Sequence, residues 1–90
     1  MAAHLAVVNA GGWGTALAVL LGSGGDEVRL WCRRQALVDE IEQTRENAAY
    51  LPGVTLPANV VPTASLEHAV TGARAVLLVP ISRAMREVRL

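Results

Sequence analysis

Ninety residues make one small domain, and a chain that is 52% apolar and 18% charged is too hydrophobic for a disordered tail. Zero net charge argues against a nucleic-acid surface or a polybasic membrane anchor. The longest apolar runs fall far short of the roughly 20 residues that cross a bilayer, so no membrane span is expected. All eight basic residues are Arg, with no Lys.

Met1–His4 carries no basic region and runs directly into a strand, unlike a signal peptide. The single cysteine, Cys32, cannot form an internal disulfide and fits a reducing, cytoplasmic compartment. Residues 4–8 read as a central, doubly covered strand. Residues 13–21 read as a helix with Ala16, Leu17, Leu20 and Leu21 on its apolar face, ended by Gly22-Ser23-Gly24-Gly25. A second strand follows over 27–32, with Val28, Leu30 and Cys32 sharing a face. A second helix over 35–46 turns Leu37, Val38 and Ile41 inward and leaves Asp39, Glu40, Glu42 and Glu46 as a solvated face rather than a metal site.

Beyond the Pro-marked loop 50–57, residues 60–64 form a third strand that Pro62 assigns to a sheet edge, because proline cannot donate to the ladder. Ser65 caps a short helix over 66–71. Residues 75–79 form a fourth, wholly apolar strand expected to be covered on both faces, and Pro80 ends it. Ser82 opens a last helix carrying Ile81, Met85 and Val88 on its apolar side; Glu67 and Glu87 read as ordinary surface acids. The alternation predicts an α/β fold with a parallel, Rossmann-like sheet of order 3-2-1-4, the first half of a doubly wound domain. As an apolar edge, the fourth strand calls for more sheet, or a second copy of the chain, beside it.

The chemistry concentrates at Asn9-Ala10-Gly11-Gly12-Trp13-Gly14, between the first strand and the first helix. A strand, a tight glycine turn and a helix N-terminus bind a dinucleotide pyrophosphate, because first-turn amides lack intrahelical partners and the helix dipole favours an anion. The motif departs from G-x-G-x-x-G at Asn9, a residue type that tolerates positive φ. Where an NAD site places an acid after the second strand, this chain has Arg33-Arg34 and no acid before Asp39. Two guanidiniums suit the 2′-phosphate of NADP and a stacked adenine, so NADPH is the preferred cofactor and NAD the alternative.

Gly11-Gly12-Trp13-Gly14-Thr15-Ala16-Leu17-Ala18 resembles the start of bacterial NAD(P)-dependent glycerol-3-phosphate dehydrogenases. Val28-Arg29-Leu30-Trp31 with Arg33, Thr44-Arg45-Glu46-Asn47 with Tyr50-Leu51-Pro52-Gly53, and Val79-Pro80-x-Ser82 with Arg86-Glu87-Val88 continue the likeness in order along the chain. The resemblance implies reduction of dihydroxyacetone phosphate to glycerol 3-phosphate, a phospholipid precursor. It implies cofactor contacts at Gly12, Trp13, Arg33, Arg34 and Tyr50, beside Asn9, Gly11 and Gly14 of the turn. Gly12 stands where the family usually has serine.

Such enzymes continue into a helical substrate domain with catalytic lysines, which this sequence lacks. His4 and His68 read as structural and Cys32 as a core residue, so the 90 residues alone are expected to be inactive. The alternative is a nucleotide-binding or interaction module that dimerises through residues 75–79.

Overall fold

The computed structural model describes residues 3–79. Within it run β1 (Leu5–Val8), α1 (Gly12–Ser23), β2 (Val28–Trp31), α2 (Gln35–Thr44), β3 (Val60–Thr63), α3 (Leu66–Val70) and β4 (Ala75–Leu78). The expected last helix, Pro80 as strand terminator and Glu87 lie outside the described residues.

The four strands form one parallel sheet of order β3-β2-β1-β4. Register pairs Leu5 with Val28 and Ala75, and Val28 with Val60. Alternation therefore places Val7, Val28, Leu30, Cys32 and Val60 on one face. There they form the buried core with Ala18, Val38, Ile41 and Leu56. Pro62 lies in the edge strand β3, opposite Leu30, as its missing N–H requires.

The apolar face expected of α1 is not the one it buries. Gly14, Thr15, Ala18 and Gly22 are buried, whereas Ala16 and Leu17 are half-exposed and Leu20 is 69% exposed. Because nearly every residue of α1 is apolar, hydropathy does not select a face; close approach does. A Cβ at Gly14 would lie 1.8 Å from the Asn9 carbonyl oxygen, and one at Gly22 would lie 2.7 Å from a Val60 methyl. The helix thus seats its stripe of small residues against the sheet, with Val19 and Leu21 packed at the flanks. Helix α2 ends at Arg45, which adopts φ 57. The strain is held by the chain that follows: the Arg45 guanidinium donates to the carbonyls of Pro57 and Val60, and its own carbonyl accepts from Leu56 N at 2.7 Å.

The opposite face is fastened differently. The Ser65 hydroxyl caps α3 by accepting from His68 N at 3.1 Å. Five residues leave the remaining carbonyls short of partners, and side chains from the sheet supply donors. His4 Nε2 donates to Ala69 O at 2.7 Å and Arg29 Nη1 to His68 O at 2.9 Å. Just before α3, Ala64 O accepts from Trp31 Nε1 at 3.1 Å. Buried His4 thus has a structural partner, and His68 lies exposed.

Helix α3 packs against β1, β2 and β3. Among the described residues β4 is not covered on both faces as expected: Val76 and Leu78, on the α3 side, are 44% and 77% exposed.

Candidate functional site

The parallel strands β1 and β2 end in register at Val8 and Trp31. The turn after β1 and the arginines after β2 therefore leave the same carboxyl edge of the sheet, where open α/β sheets bind ligands. Asn9 takes φ 103, the backbone conformation its residue type was expected to tolerate, and its Nδ2 donates to Val79 O at 3.3 Å. The first glycine of the fingerprint is thus replaced by a residue that still makes the turn and ties it to the end of β4.

Gly11 is the N-cap of α1, in extended conformation, with no capping side chain and no acid in the first helical turn. Thr15 N is bonded to Gly11 O at 2.9 Å, whereas the amides of Gly12, Trp13 and Gly14 have no acceptor among the described residues. A Cβ on Gly11 would meet nothing within 4 Å, and one on Gly12 would lie 3.2 Å from the Tyr50 carbonyl. The turn therefore presents unpaired donors and half a positive dipole charge, with open space beside Gly11 and the Tyr50 carbonyl beside Gly12. These are conditions under which an anion is held. Gly14 lets α1 approach the turn closely, since any side chain there would strike Asn9.

Of the other candidates, Tyr50 lies beside the turn through its backbone and is 47% exposed, and Trp13 is 66% exposed. Arg33 and Arg34 are exposed at the start of α2, where Arg34 serves as N-cap without a side-chain bond. The ion pairs among the described residues, Arg29–Glu27 and Arg74–Asp26, involve neither. The first acid after β2, Asp39, accepts from Gln35 Nε2 at 3.0 Å. No group of three or more His, Cys, Asp or Glu among the described residues could hold a metal. Burial pushes the Cys32 thiol up to about 11, against a smaller lowering by a Thr63 backbone hydrogen bond, so the thiol is protonated and unreactive near neutral pH.

The motif residues 44–53 take unexpected roles. Asn47 is fully buried, and its Nδ2 donates to Ala10 O at 3.0 Å and to Thr15 Oγ1 at 2.8 Å. Glu46 accepts from Gly53 N at 2.8 Å, closing the loop that carries Tyr50. Reading by residue type missed Asn47 and Thr15, because their hydrogen-bond partners lie on a different segment of the chain. The only available signal was the block Thr44-Arg45-Glu46-Asn47 itself.

The family model for the N-terminus of NAD-dependent glycerol-3-phosphate dehydrogenase matches residues 4–89. Curated glycerol-3-phosphate dehydrogenases of the NAD(P)+ type from Bacillus thuringiensis (strain Al Hakam) and Bacillus cereus (strain AH187) are each 50% identical over 84 residues. Each match covers 93% of this chain and 25% of the relative, so the chain spans about a quarter of the length of these relatives. The solved glycerol-3-phosphate dehydrogenase of Coxiella burnetii superposes with a TM-score of 0.81 at 37% identity, over 96% of this chain and 27% of that one. The Plasmodium falciparum enzyme gives 0.80 at 26% identity, over the same shares. With sequence, strand order and glycine turn in agreement, the chain belongs to the NAD-dependent glycerol-3-phosphate dehydrogenase N-terminal family.

Proposed function

We propose that residues 1–90 are the cofactor-binding Rossmann part of an NAD(P)-dependent glycerol-3-phosphate dehydrogenase, a cytoplasmic enzyme supplying a phospholipid precursor. A helical substrate domain would lie elsewhere in the complete enzyme. The observation that carries this reading is the uncapped start of α1, where the amides of Gly12, Trp13 and Gly14 have no acceptor among the described residues. Asn9, Gly11, Gly12 and Gly14 shape the pyrophosphate cradle, and Trp13 and Tyr50 form its exposed aromatic rim. Bound there, the dinucleotide supplies the hydride that reduces dihydroxyacetone phosphate to glycerol 3-phosphate.

This region's residues bind and orient the cofactor. His4 is engaged with Ala69 and Cys32 is buried in the core, so neither is placed to supply the acid or the charge stabilisation that carbonyl reduction needs. Arg33 and Arg34, free of ion pairs among the described residues, favour NADPH through its 2′-phosphate, with NADH the weaker ligand.

Paired titrations with NADPH and NADH, read by Trp13 and Trp31 fluorescence, test the assignment. Saturable binding that favours NADPH, and loses that preference in Arg33→Ala, is expected. A folded chain that binds neither refutes it. The exposure of Val76 and Leu78 favours a second reading, a non-catalytic module that dimerises through β4. A discrete dimer by concentration-dependent mass, without dinucleotide binding, would select it.

A further inference from the structure

We propose that Asn47 is the positioning residue of the dinucleotide turn, holding it open and in register with the Tyr50 loop; this rests on reading residues 9–14 as the pyrophosphate cradle. Both hydrogens of the Asn47 amide are used, one on Ala10 O and one on Thr15 Oγ1. The orientation is forced, because a carbonyl oxygen only accepts and the atom facing Ala10 O must be the nitrogen. Thr15 Oγ1 also donates to Ala10 O at 3.3 Å, so that carbonyl has two donors on its buried side.

A trans peptide is planar and directs its C=O and N–H in opposite senses. Drawing Ala10 O into the core therefore directs Gly11 N–H away from it. The neighbouring wall is set by the same residue. Asn47 O accepts from Tyr50 N at 3.2 Å and from Leu51 N at 2.7 Å, and Tyr50 O lies against Gly12. The side chain of Asn47 thus fixes the turn while its main chain fixes the loop, joining two cofactor segments 37 residues apart. Oδ1 is buried with no donor among the described residues, so the amide end carries the side chain's interactions.

The test uses the 90-residue chain and NADPH, with binding read by tryptophan fluorescence and amide shifts of Gly11 and Gly12 read by NMR without ligand. Asn47→Ala and Thr15→Val are expected to weaken NADPH binding about tenfold and to move both amide signals. Thr15→Ser keeps the hydroxyl and should restore binding. Ile41→Val, in the core and outside the turn, should lower Tm with Kd and the glycine signals unchanged.

If Asn47→Ala does not fold, the Thr15 pair decides. Folded variants that bind within twofold of wild type with unmoved glycine signals overturn the proposal. So does a Thr15→Ser that fails to rescue, which would assign the loss to packing. Wild-type chain that binds neither NADPH nor NADH overturns the cofactor reading and this role together; wild-type binding with unaffected variants overturns the role of Asn47 alone.

Discussion

Gly14→Ala is the sharpest test of how α1 meets the sheet. The added Cβ would lie 1.8 Å from Asn9 O and 3.0 Å from Asn9 C, both backbone atoms. Contacts under 3.0 Å are essentially never seen for a Cβ, so the turn and the first turn of α1 must separate by at least 1.2 Å. No rotamer change can relieve a clash between two backbones. Overpacking of a tight core destabilises by about 1–3 kcal/mol, and this site belongs at the upper end. Alanine recovers about 1 kcal/mol of helix propensity relative to glycine, leaving a net loss of about 2 kcal/mol. In a domain of this size that lowers Tm by roughly 8–16 °C.

Thermal and urea melts followed by circular dichroism measure the loss. Gly11→Ala is the companion, since its Cβ meets nothing within 4 Å; weaker N-capping by alanine limits its effect to about 1 kcal/mol. If Gly14→Ala melts with or above wild type, α1 can slide freely on the turn. The account of its buried face as a close-approach stripe is then wrong.

Other outcomes follow from individual contacts. His4→Leu leaves Ala69 O without its donor and should destabilise by about 1–3 kcal/mol, with hydrogen exchange accelerated first in α3. Arg45→Ala keeps the left-handed backbone and loses the guanidinium bonds, whereas Arg45→Gly relieves the backbone; urea midpoints should rank wild type above glycine and glycine above alanine. The Cys32 thiol titrates near 9.0 when unfolded and near 11 in the fold, so its contribution is intact below pH 9 and is lost as pH rises toward 11. Alkylation at pH 8 should accordingly be slow in the native chain and fast in urea, and equal rates would show that the thiol is not buried.

Much of the architecture was legible because it depends on local backbone chemistry. Pro62 can occupy only an edge, Ser65 is a strong cap, and Asn9 can adopt a positive φ that most residues avoid. The parallel order 3-2-1-4 follows from strands alternating with helices under right-handed crossovers. The candidate turn was equally legible, since a glycine cluster between strand and helix is a contiguous signal.

What depended on contacts distant in sequence was not. The buried face of α1 escaped hydropathy because apolar residues surround that helix, and only the approach of Asn9 and Val60 selects the side bearing Gly14 and Gly22. The exposure of Val76 and Leu78 among the described residues depends on which elements pack over β4, which strand composition does not encode. The bond between Asn47 and the turn joins positions 37 residues apart. By itself the sequence determined which segments become strands, helices and the glycine turn, because those choices rest on steric limits within a few residues. Tertiary structure alone decided which surfaces meet, because burial and hydrogen-bond pairing arise only when those segments pack.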